Sequence, residues 1–146
     1  MHSQLFAVGI AMIALTGCSH APLAPDAAQG LTLTLTLSST QVQRGRPDTV
    51  AVTISNTNRY PVSLSAGGCP ILFYVIDGAG KTVVPSGGGW FCIAILTQIN
   101  LAPGEQQTRS FVWDTDSLAP GPYSVYGSFT ADGIYLQTES ALVQLT

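Results

Sequence analysis

Charge and histidine are both scarce in this sequence. Of its 146 residues only five are Lys or Arg and eight are Asp or Glu, which gives a formal net charge of −3. Binding nucleic acid by neutralising its phosphates requires a clearly basic surface, so this composition excludes that class of function. The two histidines, His2 and His20, both precede the predicted domain, so no Ser-His or Cys-His catalytic pair can form inside it. We therefore expect a protein that is not an enzyme and has no cofactor.

The apolar run at residues 5–15 is too short to span a bilayer, which takes about 20 residues. A run of this length is typical of a signal peptide. Its last residue begins the sequence Leu15-Thr16-Gly17-Cys18, which resembles the lipobox of bacterial lipoproteins at all four positions. The resemblance implies that residues 1–17 are removed and that a diacylglyceryl group is attached to the Cys18 sulfur. The alternative is an ordinary secretory signal with an incidental cysteine.

Residues 18–30 are predicted to be the lipidated cysteine and a flexible tether that contains proline and alanine. Two or three acyl chains hold a protein stably on a membrane, whereas a single chain is marginal. By the same resemblance, serine rather than aspartate at position 19 implies release to an outer membrane. We therefore predict a cell-envelope protein that is anchored by lipid on Cys18, in the outer membrane where the organism has one.

Cysteine is scarce as well, and Cys18 is assigned to the lipid. The remaining two, Cys69 and Cys92, flank a predicted hairpin and would face an oxidising compartment, so we predict a disulfide between them. In the chain-entropy model such a bond contributes about 3 kcal/mol to stability. The alternative is a pair of buried free thiols. Two cysteines without further ligands do not make a zinc site, so we predict no metal.

Good helix formers are rare at predicted surface positions, whereas Val, Thr, Gly and Pro are common. Residues 31–38 alternate strictly between leucine and Thr or Ser, which indicates a half-buried strand. Residues 49–56 alternate in the same way, with Val50, Val52 and Ile54 inward. Further strands are predicted at residues 62–65, 71–77, 82–85, 93–100, 107–113, 123–130 and 138–145. This spacing predicts an all-β fold, an antiparallel immunoglobulin-like β-sandwich of seven to nine strands over residues 31–146.

Several of these elements occur together in a known arrangement. They are Ile54-Ser55-Asn56, Cys69 with Phe73, Asp77-Gly78-Ala79-Gly80-Lys81, Leu101-Ala102-Pro103-Gly104-Glu105, Trp113, and Gly121-Pro122-Tyr123-Ser124-Val125. Across residues 31–130 this set resembles the BsuPI-type intracellular proteinase inhibitor domain. The resemblance implies an immunoglobulin-like sandwich and protease inhibition, although this chain is predicted to be exported. None of the shared elements is an inhibitory motif, so the resemblance implies no site residue.

The candidate partner-binding loop consists of Gly87, Gly88, Gly89, Trp90 and Phe91. It is the only predicted loop that carries large aromatic side chains and is also anchored by a cysteine. Buried aromatic anchors supply much of the affinity of protein interfaces, which makes this loop the first choice for a protein contact. The alternative is that Trp90 and Phe91 pack in the core or at its rim beside the disulfide.

Asp114 and Asp116 suit either of two roles. Together with loop carbonyls they are ligands of the kind that Ca²⁺ takes. In a solvated turn, the same side chains would accept hydrogen bonds from nearby backbone amides. Of these two roles we expect the turn.

Three functional hypotheses remain open from the sequence. The first is a non-enzymatic protein-binding domain on an envelope lipoprotein, with protease inhibition as its specific form. The second is a structural or accessory module of an envelope complex without inhibitory activity. The third is a domain that binds a sugar or calcium on its loops.

Overall fold

Eleven β-strands and no helix make up the part of the chain that the computed structural model describes, residues 28–87 and 89–146. The strands are β1 (Leu31–Leu37), β2 (Gln41–Val42), β3 (Asp48–Asn56), β4 (Val62–Ala66), β5 (Ile71–Asp77), β6 (Thr82–Val84), β7 (Thr97–Leu101), β8 (Gln106–Trp113), β9 (Gly121–Ala131), β10 (Ile134–Gln137) and β11 (Ala141–Leu145). Within these residues no helix has the length and apolar character needed to cross a membrane. The predictions for residues 1–17, for Cys18 and for the tether up to residue 27 lie outside the described residues.

The strands form two main sheets and one small one. The first sheet has the order β1-β3-β8, and the second has the order β2-β11-β9-β5-β6, with β10 paired to the far half of β9. Strands β4 and β7 form a separate antiparallel pair. All pairs are antiparallel except β2 with β11. The predicted fold class, an all-β antiparallel sandwich, is confirmed, with eleven strands instead of seven to nine.

The inward faces of the two main sheets meet in one hydrophobic core. Val50, Val52 and Ile54 of β3 are fully buried, as their alternation predicts. They lie in one cluster with Phe73, Val125 and other apolar residues of the second sheet. The contact is close at Gly127, where a Cβ atom would lie only 2.8 Å from the methyl groups of Val52. A larger residue at this point would push the sheets apart.

The leucines of β1 follow the predicted alternation but reach different depths. Leu31 is buried, whereas Leu33, Leu35 and Leu37 are half-buried and pack on the rim of the core. These leucines are only partly covered because β1 is an edge strand, which pairs with β3 on one side only.

One corner of the domain is organised by the buried side chain of Asn56. Its Nδ2 group donates hydrogen bonds to the carbonyls of Tyr60, Leu101 and Ala102, at 2.9, 3.0 and 3.2 Å. Its Oδ1 atom accepts one from the Asn58 amide. The amide therefore ties the end of β3 to the end of β7 and to the turn before β4.

Two predicted strands begin later in the chain than predicted, and two short strands were not predicted. The strand predicted at residues 93–100 begins only at Thr97. Residues 93–96 lie outside the sheet because the bond between Cys92 and Cys69 holds them near Cys69. The strand predicted at residues 138–145 begins at Ala141, since Thr138 bonds to Gly127 and ends the pairing of β10. The predicted strands include neither β2 nor β10, and both are short additions to the second sheet.

Candidate functional site

Cys69 and Cys92 lie at disulfide-bonding distance, with their Cα atoms 5.5 Å apart. This is the pairing that the sequence predicts. The bond joins the loop between β4 and β5 to the long connection between β6 and β7. It therefore holds one end of the candidate partner-binding loop against the body of the domain.

The two aromatic residues of the candidate loop have opposite environments. Trp90 is half-buried, and its Nε1 atom donates a hydrogen bond to the carbonyl of Phe73 at 3.1 Å. Its ring lies 5.3 Å from that of Phe73 and 5.8 Å from that of Phe111. Phe91, the next residue, is fully exposed. The alternative of packing at the rim of the core thus holds for Trp90 only, while Gly87 and Gly89 are exposed and Gly88 lies outside the described residues.

Beside Trp90 lies an open cleft of about 410 Å³. One wall comes from β6 and the connection that follows it, and the other comes from the end of β8 and the turn after it. The lining residues are Phe73, Val83, Val84, Pro85, Ser86, Gly89, Trp90, Val112, Trp113, Asp114, Ser117 and Leu118. The candidate loop therefore contributes to a concave surface through Gly89 and Trp90. The sequence does not show this surface, because its walls come from residues far apart in the chain.

One lining residue has an unsatisfied polar atom. Trp113 is 1% exposed, and its Nε1 group has no hydrogen-bond partner among the described residues. Its neighbour across the β3–β8 ladder, Asp48, is also buried and has an unpaired Oδ2 atom, while Ser38 donates to Oδ1. Buried polar groups without partners are rare in native proteins and call for an explanation. Both atoms are enclosed by the fold, so neither is available to a molecule in the open cleft.

Two free strand edges border the same cleft. Within residues 28–87 and 89–146, β8 pairs only with β3 and β6 pairs only with β5. The outer edge of each strand therefore presents backbone N–H and C=O groups that no other strand uses. Val112, near the end of β8, is 73% exposed at this edge.

A second surface feature begins at Phe91. Residues 91–96 are irregular and exposed, and four of them are large and apolar: Phe91, Ile93, Ile95 and Leu96. The segment bends back on itself through a hydrogen bond from the Ile95 amide to the Ile93 carbonyl. The prediction of a strand from Ile93 missed this segment. Its consecutive apolar residues next to a cysteine were the available signal, since a half-buried strand would alternate.

Asp114 and Asp116 form a turn. Asp114 Oδ1 accepts a hydrogen bond from the Asp116 amide at 2.9 Å, and Arg44 Nε donates to the Asp116 carbonyl. This is the arrangement expected for a solvated turn. No group of three or more potential metal ligands occurs in the described part of the chain.

A stacked tyrosine pair lies on the second sheet. The rings of Tyr74 and Tyr126 are 5.0 Å apart and nearly parallel. Burial raises the pKa of Tyr126, and the neighbouring Tyr135 and Tyr74 phenols raise it further. Neither ring lines the cleft.

Comparison with known proteins yields similarity in structure only. No family model and no curated protein matches this sequence. Among solved structures, the sporulation control protein Spo0M of Bacillus subtilis is 10% identical, with a TM-score of 0.54 over 80% of this chain and 49% of that one. The alkylpurine DNA glycosylase AlkC of Pseudomonas fluorescens is 16% identical, with a TM-score of 0.48 over 80% of this chain and 30% of that one. The β-glucosidase EmGH1 of Erythrobacter marinus is 14% identical, with a TM-score of 0.48 over 80% of this chain and 15% of that one.

The chain therefore spans half or less of each of these proteins. The likeness to Spo0M concerns the fold alone. The resemblance to the proteinase inhibitor domain stays a prediction, since none of these matches bears on it.

Proposed function

We propose that this protein is an envelope-anchored lipoprotein whose immunoglobulin-like domain binds a protein partner and catalyses no reaction. The cleft beside Trp90 is the proposed contact surface. The observation that carries the proposal is the open cleft between two unpaired strand edges, with the half-buried side chains of Trp90, Val83 and Val84 in its lining.

The geometry favours an extended segment of a partner protein over a small molecule. An added strand on the edge of β8 would bond to its free backbone groups, which is a common mode of peptide recognition. Every second side chain of such a strand would face the cleft, where Trp90, Val83 and Val84 offer apolar contact.

The rim of the cleft carries few charges. Among the lining residues only Asp114 is charged, and it lies in the turn after β8. An apolar centre with a small polar rim is the usual composition of a protein interface. The proposed partner segment is therefore mainly apolar, with a basic group suited to Asp114.

Protease inhibition is the specific form of this function that the family resemblance implies. In that form, the partner segment belongs to a protease, and the purified protein would inhibit its activity. An assay of the full chain against a panel of serine proteases tests this form directly. Inhibition of none, together with capture of another envelope protein, would instead identify the domain as an accessory module.

The contact surface is tested by site-specific photocrosslinking in the envelope. A photoreactive amino acid replaces Val112 at the cleft or, as the matched control, Leu142 on β11. The two residues are exposed to 73% and 74% and both lie in strands. We expect a discrete crosslinked partner from position 112 and none from position 142. Equal products from both positions, or none from position 112, would contradict the proposed surface.

The proposed anchoring is tested separately at Cys18. The lipobox resemblance predicts that Cys18→Ala blocks processing and abolishes incorporation of a palmitate analogue. The wild-type chain, labelled in parallel, is the control. A variant that incorporates the analogue as well as the wild type would refute lipidation at this residue.

A further inference from the structure

We infer that residues 91–96 form a lipid-contacting loop, which inserts its apolar side chains into the bilayer surface that carries the Cys18 anchor. The inference rests on the proposed anchoring. It assigns a second surface, separate from the cleft at which the partner protein is proposed to bind.

The loop has the composition of a membrane-contacting element. Phe91 is fully exposed, Leu96 is 86% exposed, and Ile93 and Ile95 are exposed between them. Single exposed apolar residues are normal on a protein surface, but four large ones on one six-residue segment mark an interaction site. Aromatic and branched aliphatic side chains are the residues with which peripheral proteins enter the headgroup region.

The stretches of sequence around the loop and its disulfide partner contain no charged residue. Residues 60–76 and 82–104, the two stretches that the disulfide joins, contain no Asp, Glu, Lys, Arg or His. Moving a charged group into an apolar environment is unfavourable. Neither stretch contains such a group, so contact with lipid would not require a charge to leave water. The nearest carboxylate that the contacts give is that of Asp132, which accepts a hydrogen bond from the Ser65 amide at 2.7 Å.

The loop is held in place before any contact. The disulfide at Cys92 fixes one side of it, and the Ile93 carbonyl packs against Gly68, where a Cβ atom would lie only 2.1 Å from the carbonyl oxygen. The Ile95 amide bonds back to the same carbonyl at 2.9 Å. A preformed loop loses less conformational entropy on binding than a flexible one, which favours insertion.

The position of the loop relative to the tether also favours the bilayer. The chain joins the domain at Gly30, whose carbonyl accepts hydrogen bonds from the Thr57 amide and hydroxyl at 2.7 and 2.8 Å. The Asn58 side chain holds the Gln29 carbonyl at 2.9 Å. The tether is thus attached to the domain from Gln29 onwards, beside the turn that ends in the exposed Tyr60.

Strand β7 connects this corner to the loop. The Asn56 side chain bonds the Leu101 carbonyl, and Asn56 itself pairs with Leu31, so the end of β7 lies where the tether joins. From Leu101 the strand runs back to Thr97, next to Leu96, over about 14 Å at the usual rise per residue. The ten residues between Cys18 and Gln29 can span no more than about 40 Å. A bilayer that holds the lipid is therefore within reach of the loop, at a high effective concentration.

Photolabelling of the full lipidated chain in vesicles tests the inference. The chain is reconstituted into phosphatidylcholine–phosphatidylglycerol vesicles that contain a lipid with a carbene-generating group on its acyl chain. Mass spectrometry of fragments then locates the labelled residues. We expect label on residues 91–96. The double variant Phe91→Ser/Leu96→Ser should lose it about tenfold or more, because each fully buried large apolar side chain contributes at least that factor to partitioning.

Leu142→Ser is the matched control, since Leu142 is 74% exposed and belongs to neither the loop nor the cleft. Its loop labelling should equal that of the wild type. An unlabelled loop in a chain whose Cys18 carries lipid would overturn the inference, as would equal labelling around position 142. Crosslinking of the loop to an envelope protein, without label from lipid, would assign the loop to a protein partner and also overturn it.

The mass of the amino-terminal fragment separates this failure from failure of the anchoring. If Cys18 carries no lipid, the anchoring proposal is wrong, and the loop is then tested by flotation of the unacylated mature chain with the same vesicles. Flotation that the double serine variant loses would support the loop. Flotation unchanged by the variant, or no flotation of the wild type, would overturn it.

Discussion

Strand β3 and residues 91–96 are both rich in large apolar side chains, but only the strand buries them. Val50, Val52 and Ile54 have no exposed surface, whereas Phe91 and Leu96 are almost wholly exposed. Strand β3 has a hydrogen-bonded partner on each side, β1 and β8, which fix its register and hence its inward face. Residues 91–96 belong to no sheet, and the disulfide at Cys92 holds them instead.

The difference shows that apolar content alone does not decide burial in this domain. A strand satisfies its backbone in a ladder and can turn alternate side chains into the core. A segment held by a covalent bond keeps its position without a ladder, so its side chains are free to remain outside. The disulfide thus allows an exposed apolar surface that a purely hydrogen-bonded fold would not hold in a fixed shape.

The contrast between buried and exposed apolar residues is tested most directly by truncating one phenylalanine of each kind. Phe73 is 1% exposed and contacts the rings of Trp90 and Phe111, so Phe73→Ala should lower the free energy of unfolding by about 3 to 5 kcal/mol. Phe91→Ala, the matched control, should change it by less than about 0.5 kcal/mol. Denaturant unfolding of both variants measures this. Similar losses would mean that Phe91 is buried in solution.

The sequence predicts the two sides of this comparison unequally well. The alternation in residues 31–38 and 49–56 predicts β1 and β3 with their inward faces, because both strands are half-buried and have a period of two. The cleft could not be predicted, and for the exposed segment the sequence offered only its run of consecutive apolar residues, which does not give its position. The cleft depends on which strands become neighbours across the sandwich, and the position of Ile93 depends on a cross-link between distant residues. For the candidate loop, local sequence identifies Trp90 and Phe91 but does not separate the packed ring from the exposed one.

Removing the disulfide should affect the exposed segment first and the fold second. The double variant Cys69→Ser/Cys92→Ser removes a bond between residues 23 positions apart and should lose about 2 to 4 kcal/mol of stability. Amide hydrogen exchange should rise at Ile95, whose amide bonds the Ile93 carbonyl outside any ladder, and should change least in β3. The wild-type protein under oxidising conditions is the reference. Unchanged exchange at Ile95 would show that contacts other than the disulfide hold the segment.

Trp90 lies between the buried core and the exposed residues 91–96, so its truncation should cost an intermediate amount of stability. It is half-buried and bonds the Phe73 carbonyl, so Trp90→Ala should cost about 2 kcal/mol, less than a fully buried aromatic residue. The same change removes one wall of the cleft and should abolish crosslinking from position 112. Thermal unfolding and crosslinking are measured on the same preparation. A large loss of stability with intact crosslinking would assign Trp90 to the core alone.

The smallest expected effect concerns the contact that supports the exposed segment. At Gly68 a Cβ atom would lie 2.1 Å from the Ile93 carbonyl oxygen, so Gly68→Ala must displace the segment. We expect a net loss of about 1 kcal/mol, since overpacking costs about 1 to 3 kcal/mol and alanine recovers part of this by restricting the unfolded chain. Gly67→Ala is the matched control, because no atom lies within 4 Å of the position that its methyl group would take, and it should be neutral or slightly stabilising. Denaturant unfolding of the two variants decides the matter, and equal stabilities would show that residues 91–96 do not rest on Gly68.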